Sequence, residues 1–251
     1  MLEKNYLRGI ELCEMPPQDL YISELPVVKH LFKMGKLEFN KPVTFLVGEN
    51  GTGKSTLLEA IAVAVGFNAE GGGRNFTFST NESHSPLWKY LDTIKSLSAK
   101  DGFFLRAESL YNLASNIDEM DKQPSFDPMV IESYGGVSLH KQSHGESFMS
   151  LIENRLFGNG FYIFDEPEAA LSPMRLLTLI AEIDRLVKNN SQIIIATHSP
   201  ILMAYPNAQI IELSKEGIKT VDYRDTEHYK VTKQFLDNPE RMIKYLIESE
   251  C

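Results

Sequence analysis

Hydrophobic and polar positions along the chain follow two rhythms that alternate from end to end. Residues 6–12 (YLRGIEL) switch between apolar and polar, the period-two pattern of a strand with one buried face. Residues 42–47 (PVTFLV) form an unbroken β-branched and aromatic run, as expected of a parallel strand buried on both faces. The segments GFFLRAE at 102–108, FYIF at 161–164, QIIIAT at 192–197 and AQIIEL at 208–213 predict further strands. Between them, helices are predicted over 27–36, 54–65, 110–120, 143–156 and 174–189, and over most of the chain from Lys230 onward. Residues 86–99 are also predicted helical.

Residues 14–26 contain prolines and read as a loop. FNAEGGGRNFTFSTNESHSP at 67–86 is rich in Gly, Ser, Thr and Asn and reads as a loop or lid. The region 110–140 begins as a helix and continues as a polar loop, which suggests a helical insertion outside the sheet. Strands that alternate with helices predict an α/β fold, a parallel sheet covered on both faces. No internal repeat interrupts the pattern, and 251 residues suit a single α/β unit.

Composition narrows the function classes. Hydrophobic residues make up 43% and charged residues 24%, ordinary for a globular chain. The net charge of −9 gives no chain-wide footprint for nucleic acid or an anionic membrane, although a local basic patch stays open. Two cysteines, Cys13 and Cys251, make no disulfide framework, and a reducing cytoplasm is the expected setting. No secretory signal and no membrane span are read from the sequence, so membrane insertion is not expected.

Three pieces carry chemistry. The first is Gly48–Glu49–Asn50–Gly51–Thr52–Gly53–Lys54–Ser55, followed by Thr56, which has the Walker A spacing. Its glycines let backbone amides curl around phosphate oxygens, and the helix that follows points its positive end at the same anion. Lys54 is expected to reach the β- and γ-phosphates of ATP and Ser55 to hold Mg²⁺. The alternative is a Gly-rich turn with a surface lysine, but this loop follows a buried strand and opens a helix.

The second piece is the strand 161–164, which ends in Asp165 and Glu166. Asp165 is placed to bind Mg²⁺, and Glu166 to act as general base on the attacking water. An acidic surface turn is the plain alternative. The third is His198, at the end of the strand 192–197 and 32 residues after Glu166. The carboxyl ends of parallel strands gather on one side, so His198 is expected near the γ-phosphate.

In this order the pieces resemble an ATP-binding cassette (ABC-type) ATPase, with Asp165–Glu166–Pro167 as the Walker B extension and His198 as the switch histidine. The family's signature, Leu-Ser-Gly-Gly-Gln, has its counterpart in Gln142–Ser143–His144–Gly145–Glu146, which keeps the serine and second glycine but has His144 in place of the first. Ser143 and Glu146 also read as a capping box, which is compatible with the signature role.

The form DEPEAxLxP at 165–173 looks like bacterial ATPases related to the chromosome-maintenance, recombination-repair and overcoming-lysogenization-defect groups. The whole chain is similar to small bacterial AAA/ABC-like ATPases. Residues 6–213 carry the resemblance. It implies an α/β P-loop NTPase fold with a mainly parallel sheet, antiparallel N-terminal strands and a small helical insertion. It also implies one domain over 1–251 with a helical, signature-bearing subregion at about 86–155.

The activity implied is ATP hydrolysis with Mg²⁺ in an ATP-dependent homodimer, where Ser143 and Gly145 of one copy complete the site of the other. The work would be done on an unknown protein partner. The alternatives are a transporter's nucleotide-binding subunit, a nucleic-acid-linked clamp or defence ATPase, a non-hydrolysing sensor and a P-loop kinase. Glu108 is the positional candidate for the family's Q-loop, and Tyr21 and Phe32 are candidates for adenine stacking. Arg74 is a candidate for a lid arginine, although a solvated loop arginine is the plainer reading. DTEHY at 225–229 reads as a surface turn with a lesser claim to a partner contact.

Overall fold

The computed structural model describes residues 5–73, 84–122 and 128–248. Arg74, Cys251 and half of the Gly/Ser/Thr-rich loop, residues 74–83, lie outside that range. Two sheets form. The larger has strand order β5-β6-β7-β3-β8-β9, with β3 Val43–Val47, β5 Asp101–Arg106, β6 Gly160–Asp165, β7 Gln192–Ala196, β8 Gln209–Leu213 and β9 Ile218–Thr220. Its first five strands run parallel and β9 is antiparallel to β8. The smaller sheet is antiparallel, in the order β2-β1-β4, with β1 Leu7–Leu12, β2 Lys36–Glu38 and β4 Leu91–Lys95.

The central parallel strands β3, β6 and β7 are buried from end to end, and their period of two divides the interior. Val43, Phe45, Val47, Tyr162, Phe164, Ile193 and Ile195 pack in one cluster. That cluster joins α3 Leu110–Lys122, α4 His144–Arg155 and α5 Pro173–Lys188. Leu46, Phe161, Ile163, Ile194 and Ala196 fall in a second cluster, which joins α1 Pro26–Met34, α2 Lys54–Ala64 and the small sheet. The fold is therefore the α/β arrangement expected, with a mainly parallel sheet, helices on both faces and antiparallel N-terminal strands. Gln192 ties the sheets together: its side chain accepts from the Leu7 amide and donates to the Leu7 carbonyl, each at 2.8 Å.

Two expectations are corrected. Residues 86–99 are not a helix: Pro86–Tyr90 make a short 3₁₀ turn and Leu91–Lys95 form β4, which pairs antiparallel with β1. Leu87, Trp88, Leu91 and Ile94 sit three or four apart, a helix-like spacing, but partnering with β1 overrides it. The segment 225–229 is not a surface turn. Thr226 is fully buried and caps α7 Glu227–Asp237, which α8 Pro239–Glu248 follows. No helix of the described residues is long and apolar enough to cross a membrane.

Candidate nucleotide site

The loop 48–53 joins β3 to α2 and must turn sharply at the sheet's carboxyl edge. Gly48 has φ +138°, and a Cβ there would lie 2.0 Å from the Leu213 carbonyl oxygen, so β8 leaves no room for a side chain. Gly53 is left-handed, with φ +97°, and stands at the N-cap of α2. No side chain caps that helix, so its first amides are free for an anion. Lys54 is buried and folds back over the loop, donating from Nζ to the carbonyls of Gly48 at 2.7 Å and Glu49 at 2.9 Å. Burial lowers its pKa, while Glu166, Asp165 and Glu168 pull it back up.

Strand order brings the other pieces to the same edge. β7 lies between β3 and β6, so the residues that follow all three strands are neighbours. Asp165 pairs in register with Ala196 and is buried at the end of β6. Burial pushes its carboxyl up to about 6, against the Arg106 guanidinium and the Ser55 hydroxyl, which pull it down. Its Oδ1 is buried with no hydrogen-bond partner.

A buried carboxylate with an open oxygen, bonded to a serine hydroxyl beside a phosphate loop, suits Mg²⁺. That ion takes one or two carboxylates and completes its octahedron with phosphate and water. Among the described residues no group of three or more acids, histidines or cysteines could hold a metal without such help.

Glu166 has φ 48° and ψ 54°, a left-handed conformation uncommon for a non-glycine residue and a form of strain often found at working sites. It brings the carboxylate to 3.7 Å from His198 Nε2. Leu25, Asn50, Gly51, Gly53, Lys54, Ser55, Thr56, Glu166 and His198 line one cleft of about 380 Å³. Gly48, Glu49 and Thr52 shape the loop beneath, where Thr52 is buried and donates from its hydroxyl to the Glu49 carbonyl at 2.9 Å.

Ser143 and Gly145 do not line this cleft. They open α4, where Ser143 accepts from the Glu146 amide and the Glu146 carboxylate accepts from the Ser143 amide and hydroxyl. Gly145 is packed so closely that a Cβ would lie 2.9 Å from the Ala170 carbonyl. Tyr21 and Phe32 are both largely exposed and neither lines the cleft, whose apolar wall is Leu25.

Three neighbours of the site were not singled out from the sequence. Arg106, at the end of β5, stands 3.4 Å from Asp165 and donates to Glu59 at 2.8 Å; a basic residue ending an apolar strand was its signal. Glu168 accepts from the Thr197 hydroxyl at 2.8 Å and from the His198 amide, clamping the loop after β7. It is the third acid of the DEPEA run. His228, within the polar DTEHY segment, contacts His198. Glu108 is exposed in the turn after β5, and its charge raises the Asp165 pKa slightly.

Comparison with known proteins bears on the family and the fold. Residues 30–102 match a family profile described as "AAA domain" and residues 140–204 one described as "AAA domain, putative AbiEii toxin, Type IV TA system". The chain carries the fold and the sequence marks of an ABC/AAA-like P-loop ATPase.

The "Retron Vc95 probable ATPase" of Vibrio cholerae serotype O1 biovar El Tor is 27% identical over 47% of this chain. The match covers 25% of that relative, so the chain spans about a quarter of the relative's length. Among solved structures, a metal-chelate type ABC transporter in an inward-facing conformation superimposes with TM-score 0.51 and 15% identity, covering 91% of this chain and 88% of that one. An ATP-binding cassette of an ABC transporter gives TM-score 0.50 and 16% identity, covering 96% and 99%. At such identities the likeness concerns the ABC/AAA-like fold alone.

Proposed function

We propose that this chain binds ATP with Mg²⁺ and hydrolyses it at a site completed by a second copy, as a switch on a protein partner in the cytoplasm. The observation that carries the reading is convergence. An uncapped helix N-terminus, Lys54, Ser55, Glu166 and His198 share one cleft, with the open oxygen of Asp165 behind it.

Gly51, Gly53, Lys54, Ser55 and Thr56 supply amides to the phosphates. Lys54 exchanges the carbonyls of Gly48 and Glu49 for phosphate oxygens. Ser55 and Asp165 would hold Mg²⁺, which would supply positive charge against the phosphates. Glu166 accepts the proton of the attacking water, and His198 orients that water and the γ-phosphate. Ser143 and Gly145, away from their own cleft, face the γ-phosphate of the second copy.

Glu166→Gln is the test. It is expected to bind ATP, to turn over roughly 10²–10⁴-fold more slowly, and to accumulate as a dimer in light scattering. A variant that stays monomeric at saturating Mg²⁺ and ATP would falsify the shared site.

A second reading follows from the toxin–antitoxin profile and the retron relative. The chain would then be the ATPase of a defence system, acting with nucleic acid or a toxic protein. ATP turnover stimulated by DNA or RNA and weakened by salt would favour it. Co-purification with a membrane protein would favour a transporter subunit instead.

A further inference from the structure

The switch histidine is held from outside the motifs. His228 lies in the first turn of α7, and its Nε2 is 2.9 Å from Nδ1 of His198, with ring centroids 5.1 Å apart. The turn that presents it is firmly built. Thr226 donates to the Tyr223 carbonyl at 2.8 Å and accepts from the Tyr229 amide, and the rings of Tyr223 and Tyr229 pack at 4.7 Å. On its far side His198 is fixed through its backbone amide by Glu168. His198 Nε2 is buried without a hydrogen-bond partner and points towards Glu166.

A contact of this length between two imidazole nitrogens needs one hydrogen, donated by one ring and accepted by the other. Burial lowers the pKa of both rings, with Lys54 adding to the effect on each, which favours the neutral imidazole in both. The hydrogen's place is then decided at His198 Nε2. A Glu166 carboxylate oxygen stands 3.7 Å from that nitrogen, and a γ-phosphate would add further acceptor oxygens. Nε2 meets those acceptors only if it carries the hydrogen. Nδ1 is then a bare acceptor, and the hydrogen of the pair belongs to His228.

We propose that His228 is a positioning residue for His198: its Nε2–H holds the switch imidazole in the Nε2–H tautomer and in the orientation that faces Glu166 and the γ-phosphate. The role parallels that of any group that orients a working histidine through its second nitrogen. It rests on the ATP reading of the cleft, and it gives α7, which carries no recognised motif, a part in the site.

The test compares the full-length wild type with His228→Ala, His228→Gln and His228→Asn. A glutamine amide reaches about where imidazole Nε2 lies, whereas asparagine falls short. His228→Ala is expected to lower kcat by about tenfold with KM for ATP little changed. His228→Gln should recover most of the loss and His228→Asn should not.

Nitrogen-15 histidine spectra of the nucleotide-free protein should show His198 protonated at Nε2 in wild type and His228→Gln, and a tautomer mixture in His228→Ala. Wild-type kcat in His228→Ala, no recovery in an equally stable His228→Gln, or a wild-type His198 protonated at Nδ1 would each overturn the proposal. If His228→Ala does not fold, the wild-type spectrum and His228→Gln still decide. Wild-type turnover no higher than that of Lys54→Ala would defeat the ATP reading instead, and the spectra would still judge His228.

Discussion

Two helices start beside glycines at functional positions, and their N-termini are finished in opposite ways. α2 begins at Gly53, left-handed and without a side-chain cap, so its free amides and positive end open into the cleft. α4 begins at Ser143, whose hydroxyl and amide are engaged by Glu146 in a complete capping box. An open end favours an anion as its missing cap, whereas a closed end already holds a carboxylate in that place. For α4 to receive a γ-phosphate from a second copy, the Glu146 carboxylate must give way. On the proposed shared-site reading, the first site is built in the single chain, and the second would form only when a stronger anion displaces an internal one.

The largest effect expected on this contrast comes from Lys54→Ala, which removes the charge beside the open end. Turnover should fall by roughly 10²–10³-fold, as when one preorganised donor is lost. Calorimetry that found wild-type ATP affinity in this variant would break the comparison at its stronger half.

Gly53→Ala should destabilise the fold by about 2 kcal/mol. A left-handed alanine costs roughly 1–2 kcal/mol, and its methyl would meet Val27 Cγ1 at 2.5 Å. Urea denaturation measures this, and an unchanged midpoint would show that the loop relaxes without strain.

Ser143→Ala should cost about 1 kcal/mol as a lost N-cap. ATP-dependent dimerisation should be lost while ATP binding by the monomer is retained. A dimer that forms normally would reduce Ser143 to a cap.

The smallest effect is the pH response of the cap. Hydrogen bonds from the Ser143 side chain, then its backbone, hold the Glu146 carboxyl below its ordinary value of 4.5. A folded pKa lowered in this way gives stability that is present above 4.5 and lost as pH falls through the folded value. The gap in melting temperature between wild type and Glu146→Ala should therefore close on acidification below 4.5. A constant gap would show that the carboxylate's charge plays no part.

Local chemistry was legible where neighbours in sequence are neighbours in space. Phosphate binding needs glycines, a lysine and a serine at fixed spacing between a strand and a helix, and residues 48–55 state it directly. Apolar runs revealed β3, β6, β7 and β8 because these strands are buried on both faces. The three-residue strands β2 and β9 carry too little pattern to stand out, and β4 was hidden by a helix-like spacing. Arg106 and His228 escaped for another reason. An arginine after FFL and a histidine in DTEHY look like surface residues until β5 lies against β6 and α7 against the loop after β7.

The sequence alone determined what kind of ligand the open end of α2 is made for, because curling backbone around phosphate is a local requirement met within eight consecutive residues. The tertiary structure decided which side chains surround that ligand. Strand order places β7 between β3 and β6, Glu168 clamps the turn at His198, and a helix 30 residues further on supplies the nitrogen that faces its ring. Those contacts join positions far apart in the chain, and only the folding of the sheet and its covering helices brings them within hydrogen-bond reach.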